Sequence, residues 1–323
     1  MNAVLLVLDA LRYDHVNEDN TPNLMSLAKK GAFFRNALAC NSSTIKCIPC
    51  ILCSDTEYEP DRNIASILGG RGYHTAMIHS NPIVHAFYGG FRETIDLKSG
   101  KFKMSKGWKR ALRTNLPPQI LAGMKKLRAS MYEDDMYLPY SRARETLEFT
   151  GKWMSDHSRY FLWAHLMDPH IPYYPQNTIL GISKRDMRTL NDKLIESVHG
   201  NYTPIPDEVE MAKTLYREDV HEMDHEIGVF MEDFPEDTLL VVTSDHGEEF
   251  GEQGQYSHHE DKIIPELVHV PLIFFGSGVS EGRVIDDSVS SLSIAPTILE
   301  YMGIIENIGR GQSLWPSIRK RAS

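Results

Sequence analysis

Two short apolar runs in the chain each end in side chains that can bind a metal ion. Val4 to Leu8 is followed by Asp9, and Leu239 to Val242 leads into Asp245 and His246. Runs of this length predict buried strands, and open α/β sheets place their chemistry beyond the carboxyl ends of the strands. Carboxylate oxygens and imidazole nitrogens are common ligands of divalent ions. The sequence therefore predicts a metal site built from residues that lie far apart in the chain.

Further histidines follow other strand signals or lie in loops close to these acids. Tyr160 to Ala164 reads as a strand, and the next residues include His165 and His170. His258 and His259 follow the second acid. Histidines grouped at one edge of a sheet can stabilise an oxyanion, protonate a leaving group or bind a second metal ion. We expect these histidines to be functional.

The cysteines lie together in one short stretch, at positions 40, 47, 50 and 53. This spacing is unlike the disulfide framework of a small secreted protein. The simplest interpretation is that they are small buried residues. The alternative is that the Cys-x2-Cys-x2-Cys run binds zinc or an iron–sulfur cluster.

A second metal motif competes with the strand-end site. His221, Glu222, His225 and Gly228 fit the H-E-x-x-H-x-x-G pattern of zinc metalloproteases. Met231 stands where a third histidine would be expected, and the helical pattern continues past Gly228 without a turn. We therefore keep a zinc protease as a remote alternative only.

The elements that position these residues alternate between helix and strand signals, which favours a largely parallel sheet. Strand signals recur at residues 73–78 and 270–275, and helix signals at 22–30, 64–70, 206–231 and 293–302. Residues 176–206 read as a polar, loop-rich surface excursion. The pattern predicts an α/β fold with a mainly parallel central sheet.

Composition sets limits on the class of protein. The chain has 323 residues and a formal net charge of -10, which argues against general nucleic-acid binding. No signal peptide precedes the first strand and no apolar run approaches the roughly 20 residues of a transmembrane segment, so we expect a cytoplasmic protein. Lys98 to Arg128 contains ten Lys or Arg residues and no Asp or Glu. This segment is either a solvated surface insertion or a patch that attracts an anionic substrate or a membrane surface.

The chain resembles the sulfatase family of the alkaline phosphatase superfamily over nearly its whole length. The residues that carry the resemblance are 5–14 (LLVLDALRYD), 21–24 (TPNL), 34–37 (FRNA), 72–76 (GYHTA), 165–173 (HLMDPHIPY), 243–252 (TSDHGEEFGE), 256–258 (YSH), 266–273 (ELVHVPLI), 295–299 (APTIL) and 311–314 (GQSL). The resemblance implies an alkaline phosphatase-like three-layer sandwich. We expect one domain over residues 1–323, with insertions at about 97–135 and 176–206 and a smaller C-terminal portion at about 276–323.

The resemblance also implies a nucleophile, and here the chain departs from the family pattern. Ten residues after Phe34, sulfatases carry a cysteine that is oxidised to formylglycine, whereas this chain has Thr44. A threonine resembles the phosphoryl-transferring members of the superfamily, where a metal-activated hydroxyl attacks phosphorus. Cys47 is the alternative nucleophile, because residues 47–50 partly mimic the sulfatase signature.

The metal set implied by the resemblance is Asp9, Thr44, Asp245 and His246. Mixed oxygen and nitrogen ligands favour one divalent ion, Mn²⁺ or Zn²⁺, over Ca²⁺, which stays a third candidate. A second metal ion, bound by the nearby histidines, is left open. Arg12 and Lys46 are candidates for binding the anionic part of the substrate.

Together these features predict a metal-dependent hydrolase of sulfate or phosphate esters. Its substrate would be a small anionic ester, and this ester could be part of a glycan or a lipid. Thr44 would be the nucleophile, and His165, His170, His258 and His259 would assist catalysis. A phosphoglycerol or phosphoethanolamine transferase is the first alternative. A non-catalytic relative that binds anionic glycans or membranes is the second. The sequence does not define an oligomeric state.

Overall fold

The computed structural model describes residues 1–97, 138–179 and 181–320, in which strands and helices alternate along the chain. The strands are β1 Asn2–Leu8, β2 Ala32–Leu38, β3 His74–His79, β4 Glu93–Asp96, β5 Tyr160–Leu166, β6 Thr238–Thr243, β7 Glu249–Phe250, β8 Tyr256–Ser257, β9 His269–Gly276 and β10 Arg283–Ser290. The helices are α1 Pro22–Lys30, α2 Thr44–Cys53, α3 Ile64–Gly70, α4 Ala143–Asp156, α5 Lys184–Val198, α6 Pro206–Glu232, α7 Pro265–Val268, α8 Ile294–Tyr301 and α9 Trp315–Ile318.

Within the described residues the main sheet has eight strands in the order β10-β2-β9-β6-β1-β5-β3-β4. Every neighbouring pair is parallel except the two pairs that involve β9. Strands β1, β5 and β6 lie side by side, so their carboxyl ends meet at one edge of the sheet. The predicted α/β class with a mainly parallel sheet is confirmed.

Helices cover both faces of this sheet, which gives three layers. Along β1, Ala3, Leu5 and Val7 belong to an apolar cluster that also contains residues of α2, α3 and α8. The alternate residues Val4, Leu6 and Leu8 belong to a second cluster that contains residues of α1, α4 and α6. All of β1 is apolar apart from its first residue, because a strand covered on both faces has no solvent-facing side.

The long helix α6 anchors the segment that follows β1. The Tyr216 hydroxyl accepts a hydrogen bond from the Arg12 amide at 2.9 Å and donates one to the Ala10 carbonyl at 2.8 Å. Ala10 itself has a left-handed backbone, with φ of 60°. These contacts turn the chain immediately after Asp9 and hold that carboxylate at the sheet edge.

Two elements differ from the sequence-based expectation. Residues 176–206 contain the helix α5, so the loop-rich interpretation of this segment is wrong there. The Ser183 side chain caps α5 by accepting from the Asp186 amide, and Met187, Leu190 and Leu194 form its buried face. The cysteine-containing segment also forms a helix, α2, despite Pro49 in its interior.

The remaining expectations concern the C-terminal portion and the insertions. Residues after β9 add β10 to the edge of the main sheet and pack α8 into the apolar cluster shared with α2, so this portion is continuous with the rest of the fold. The predicted insertion at about 97–135 and its basic segment fall almost entirely outside the described residues. Of the helices that are described, none has the length and apolarity needed to cross a bilayer.

Candidate active site

The predicted acids meet at the carboxyl ends of β1 and β6. These strands pair in parallel with Val7 opposite Thr243, so Asp9 and Asp245 each lie two residues beyond this last pair. Ser244 connects the two loops, because its hydroxyl accepts from the Leu11 amide and contacts the Leu8 carbonyl at 2.6 Å. The close pairing of two parallel strands therefore explains how residues distant in sequence form one site.

Asp9, Asp245 and His246 form a buried three-residue cluster with the geometry of metal ligands. The His246 Nε2 atom lies 3.7 Å from Asp9 Oδ1 and 3.6 Å from Asp245 Oδ2. Both carboxylate oxygens are buried and have no hydrogen-bond partner among the described residues. A buried carboxylate oxygen without a hydrogen-bond partner is unfavourable unless a cation compensates its charge. The cluster therefore fits a divalent ion.

The hydrogen bonds of His246 leave its other nitrogen available as a ligand. Its Nδ1 atom lies 2.8 Å from the Gly247 carbonyl, which can only accept, so Nδ1 carries the proton. The Nε2 lone pair consequently faces the two carboxylates. Gly247 is required here because a Cβ atom at this position would lie 2.0 Å from the Glu266 carbonyl oxygen.

Thr44 is the first residue of α2 and lies against the same cluster. Its Oγ1 atom is 3.3 Å from His246 Nε2, and the residue is buried. The first amides of a helix have no partner within the helix and favour negative charge, so an anion is stabilised beside this hydroxyl. The structure thus brings together all four residues of the predicted metal set.

Cys47, the alternative nucleophile, occupies a different environment. Its thiol donates to the Asn41 carbonyl at 3.1 Å, and its side chain belongs to the apolar cluster beneath α2. Burial and the nearby Asp245 carboxylate raise the pKa of the Cys47 thiol well above its usual value, which opposes formation of a nucleophilic thiolate. The geometry favours Thr44 over Cys47 as the group that faces the cluster.

Among the described residues, the cysteines do not form the ligand group that the alternative prediction requires. In the described part of the chain, the groups of His, Cys, Asp and Glu close enough to share an ion contain no cysteine. Along α2, the thiols of Cys47, Cys50 and Cys53 contact separate backbone carbonyls instead of one another. These residues are mainly packing residues, as the simplest interpretation predicted.

The second carboxylate oxygen of Asp9 is held by two side chains. Asp9 Oδ2 lies 2.9 Å from His165 Nε2 and accepts from Asn81 Nδ2 at 2.8 Å. Burial would raise the pKa of Asp9, but His170, His165 and His246 outweigh it and lower the pKa. His165 therefore contacts a candidate ligand, and its predicted catalytic role stays a prediction. Asn81 was missed, although its position just after β3 was a usable signal.

His170 and His258 form an imidazole pair beside His246. The ring centroids of His258 and His246 are 4.3 Å apart, and those of His258 and His170 are 4.9 Å apart. His170 Nδ1 lies 2.5 Å from the Ile171 carbonyl, and His258 Nδ1 lies 3.1 Å from Glu248 Oε1. Because both acceptors hold the proton on Nδ1, each Nε2 is left free for proton transfer.

Glu248 is a buried carboxylate that sequence reasoning did not assign to the site. Besides His258, it accepts a hydrogen bond from the Tyr173 hydroxyl at 2.8 Å. Burial would raise the pKa of Glu248, but His258, His170 and Tyr173 outweigh it and the pKa is lowered. An ionised Glu248 orients His258 and favours its protonated form, but burial and the neighbouring His246 outweigh this effect and lower the pKa of His258.

The remaining predicted residues lie further from the cluster. His259 contributes its backbone carbonyl to the Ser42 hydroxyl at 2.6 Å, which leaves its catalytic role a prediction. Lys46 is exposed in the first turn of α2, and its substrate-binding role also stays a prediction. The Arg12 guanidinium contacts Asp14 and Glu252 at 2.7 Å each. Arg12 is thus paired with two carboxylates, and its predicted role in binding the anionic part of the substrate stays a prediction.

The protease-like motif is contradicted by its contacts. Glu222 accepts from the backbone amides of Gln176 and Asn177, and His221 Nδ1 lies 3.2 Å from the Asn20 carbonyl. His225 is 71% exposed. The metal-competent groups found within the described residues do not include these side chains. This part of α6 holds loops in place, and its side chains do not converge as metal ligands.

Fold and site together define the class of this protein. A mainly parallel sheet between two helical layers, with acids and histidines at the carboxyl ends of its strands, is the arrangement of the alkaline phosphatase superfamily. The Sulfatase family profile matches residues 1–304, and the chain belongs to the sulfatase family.

Relatives of known sequence match over short segments. The chain is 41% identical over 85 residues to the low-salt glycan biosynthesis sulfotransferase Agl7 of Haloferax volcanii, covering 25% of this chain and 20% of the relative. It is 33% identical over 87 residues to a sulfatase of Formosa agariphila, covering 25% of this chain and 17% of the relative. The matched segments therefore span about a fifth of the length of these relatives.

Solved structures match over most of the fold. The phosphonate monoester hydrolase of Silicibacter pomeroyi is 20% identical with a TM-score of 0.63, covering 98% of this chain and 76% of that one. BT4656, solved with D-glucosamine-2-N,6-O-disulfate as its substrate, is 17% identical with a TM-score of 0.66 and coverages of 98% and 80%. The zinc-bound periplasmic domain of Escherichia coli EptC is 15% identical with a TM-score of 0.63 and coverages of 93% and 81%. At these identities the likeness concerns the fold.

Proposed function

We propose that the protein is a metal-dependent hydrolase of sulfate or phosphate esters, with Thr44 as its nucleophile. The observation that carries the proposal is the position of Thr44 Oγ1, 3.3 Å from His246 Nε2 at the start of α2. The unpartnered oxygens Asp9 Oδ1 and Asp245 Oδ2 face the same nitrogen. A hydroxyl, two carboxylates and an imidazole thus converge in one buried cluster.

These four side chains would hold one divalent ion. Three oxygen donors and one imidazole nitrogen suit Zn²⁺ or Mn²⁺ better than Ca²⁺, which prefers oxygen ligands alone. When bound, the ion would lower the pKa of the Thr44 hydroxyl and offset the negative charge of the ester. His165 and Asn81 are positioning residues in this scheme, because they fix the carboxylate of Asp9.

The chain's own residues then account for both halves of hydrolysis. Thr44 would react as an alkoxide, its hydroxyl proton having passed to solvent, and Oγ1 bonds to the sulfur or phosphorus atom while the bond to the leaving oxygen breaks. Protonated His258 or His170 donates a proton to that oxygen through Nε2. Water next attacks the Thr44 ester, the same histidine takes the water proton, and the bond to Oγ1 breaks. Free sulfate or phosphate leaves and Thr44 is regenerated.

Phosphate or phosphonate esters fit this nucleophile better than sulfate esters do. A threonine hydroxyl resembles the attacking group of phosphoryl-transferring enzymes, whereas the sulfatase pattern uses formylglycine. The proposed substrate class is a small anionic ester. Because BT4656 was solved with a disulfated glucosamine as its substrate, a sulfated glycan should be included among the substrates tested. The alcohol that is released on hydrolysis is to be identified by testing esters of different alcohols.

The nucleophile is tested with matched variants at two positions. The assay follows turnover of nitrophenyl phosphate, phenylphosphonate and sulfate esters by the metal-loaded protein. We expect Thr44→Ala to lose activity about a thousandfold or more, Thr44→Ser to stay within about tenfold of wild type, and Cys47→Ala to retain activity. Activity that survives in Thr44→Ala but is lost in Cys47→Ala would reassign the nucleophile to Cys47. Absence of any Thr44-dependent turnover would support a non-catalytic binding protein.

A transferase is the second candidate function. It is favoured by a hydroxyl nucleophile together with a relative that is a sulfotransferase and is 41% identical over its matched segment. In a transferase, an acceptor alcohol replaces water in the second step and receives the group from Thr44. Adding glycerol or ethanolamine to the assay distinguishes the two, since a transferase forms a new ester while a hydrolase releases only the free anion.

A further inference from the structure

A second group of potential metal ligands lies beyond the carboxyl ends of β3 and β4. The two strands are parallel and pair with His79 opposite Asp96, the last residue of each. Residues paired in this way project their side chains on the same face of a sheet. The Leu97 amide donates to the His79 carbonyl at 2.7 Å, which continues the pairing by one residue. The strand register therefore places an imidazole beside a carboxylate.

His85 completes this group from the short 3-10 helix Pro82–Phe87 that follows β3. Its Nε2 atom lies 3.0 Å from Asp96 Oδ2, and its ring centroid lies 5.4 Å from that of His79. The potential ligand atoms of His79, His85 and Asp96 all lie within 4.8 Å of one another. This spacing is close enough for a single ion to contact all three after small side-chain movements.

His79 is the buried member of the group and has one nitrogen to spare. Its side chain is fully buried, its Nε2 atom contacts the Tyr88 hydroxyl at 2.9 Å, and its Nδ1 atom has no hydrogen-bond partner within the described residues. A second hydrogen-bonding group on the far nitrogen is the usual way in which a ligating imidazole is oriented. Tyr88 supplies that group here.

We propose that His79, His85 and Asp96 bind a second divalent cation, of the zinc class, separate from the ion of the Thr44 cluster. Two imidazoles and one carboxylate form a three-ligand set that leaves a position for water or an external ligand. The side chain of His85 is 39% exposed and that of Asp96 is 19% exposed, so the open position is accessible to solvent. This site does not depend on the role of Thr44.

The second site adjoins the first through β3. Asn81, two residues after His79, donates to Asp9 Oδ2 at 2.8 Å. The turn that carries His79 thus also holds a ligand of the Thr44 cluster. A cation bound by His79, His85 and Asp96 adds positive charge at the edge of that cluster, where it can attract an anionic substrate.

Another group of potential metal ligands lies at the amino ends of β3 and β4 and provides a matched control for the metal-binding experiment. His74, Glu93 and His157 also form a group of three potential ligands, but all are exposed or half-buried. His157 is stacked on Trp153 with ring centroids 4.0 Å apart, and its Nδ1 atom contacts the Trp153 carbonyl at 2.8 Å. We expect this group not to retain an ion, which makes His157→Ala a control for nonspecific binding to surface histidines.

The experiment is a titration of the metal-free protein with Zn²⁺ by calorimetry, repeated with Co²⁺ to record its visible absorption. We expect two ions per wild-type chain. His85→Ala and Asp96→Asn should each lose one of them, or bind it at least about tenfold more weakly, while His157→Ala keeps both. Asp245→Asn should lose the other ion, so that the double variant with His85→Ala binds neither. Circular dichroism establishes that each variant is folded.

Three outcomes would overturn the proposal. The wild-type protein could bind a single ion that Asp245→Asn loses and His85→Ala retains, or His85→Ala and Asp96→Asn could both retain two ions. The third is that His157→Ala loses an ion while His85→Ala and Asp96→Asn do not. That result would assign the ion to the group of His74, Glu93 and His157. Because the readout is metal content and not turnover, failure of this proposal is distinct from failure of the proposed ester hydrolysis.

Discussion

Glu248 shows how a buried carboxylate acts on the site through a neighbouring residue. Its two oxygens contact His258 Nδ1 at 3.1 Å and the Tyr173 hydroxyl at 2.8 Å. Because a carboxylate only accepts, it fixes His258 in the form that has Nε2 free. The proton donor proposed for the leaving group therefore depends on Glu248 for its orientation.

We expect Glu248→Gln to lower kcat by about ten- to a hundredfold with little change in KM. The amide of glutamine can donate to His258 Nδ1 and so favour the wrong form of the ring. Steady-state kinetics of the metal-loaded variant measure the effect. Tyr173→Phe is the control, since it removes one hydrogen bond to Glu248 but leaves the carboxylate beside His258. An equal loss in both variants, or a change confined to KM, would contradict the orienting role.

At the level of single residues, the sequence was informative where a side chain directly follows an apolar strand. Asp9, Asp245 and His246 could be predicted because the strand runs before them are long and apolar. Asn81 also lies just after a strand signal, but its contact with Asp9 joins two separate strand ends, and the contacts of Glu248 depend on how its loop folds. The ion pair of Arg12 with Glu252 could not be predicted either, because Glu252 lies in another loop.

At the level of elements, α6 stabilises α1 by capping its first turn. Asp224 accepts from the Asn23 amide at 2.9 Å and from the Leu24 amide at 2.8 Å. These are amides near the helix start that have no partner within α1. The two helices approach closely at Gly228, where a Cβ atom would lie 2.6 Å from the Asn23 side chain. The motif that resembled a protease signature is explained by this helix contact.

We expect Asp224→Ala to lower the free energy of unfolding by about 1–2 kcal/mol, because it leaves the amides of α1 without an acceptor. Urea denaturation at neutral pH measures the change. His225→Ala, at the neighbouring exposed position, should stay within about 0.5 kcal/mol of wild type. If the two variants unfold alike, the cap contributes nothing. His225→Ala should also keep its full metal content, which separately tests the absence of a zinc protease site.

The elements that the sequence did not predict lack a clear local signal. Helix α2 carries Pro49 and three cysteines, a composition that does not indicate a helix, and it is stabilised by packing on the apolar cluster. Helix α5 lies in a polar segment and shows only a narrow apolar face. Strand β10 is an edge strand with several polar residues, so it lacks the apolar run that identified β1 and β6.

At the scale of the whole molecule, the Thr44 cluster connects three separate parts of the fold. Asp9 follows β1, Thr44 begins α2, and Asp245 with His246 follows β6. Without an ion, two buried carboxylates face each other across His246 Nε2 with an unpartnered oxygen each. Uncompensated buried charge destabilises the folded state, and a bound cation reverses this effect. The proposed ion would therefore contribute to stability as well as to catalysis.

This view predicts opposite effects of Asp245→Asn in the metal-free and metal-loaded protein. Without metal, the variant should unfold at the same temperature as wild type or a few degrees higher, because one of two facing buried charges is removed. With Zn²⁺ or Mn²⁺ in excess, wild type should gain about 3–4 kcal/mol at a free metal concentration a few hundred times Kd, while the variant gains far less. Thermal unfolding with EDTA and with added metal measures both. A variant that is markedly less stable than wild type without metal, or equally stabilised by the ion, would show that Asp245 has a packing role and is not a ligand.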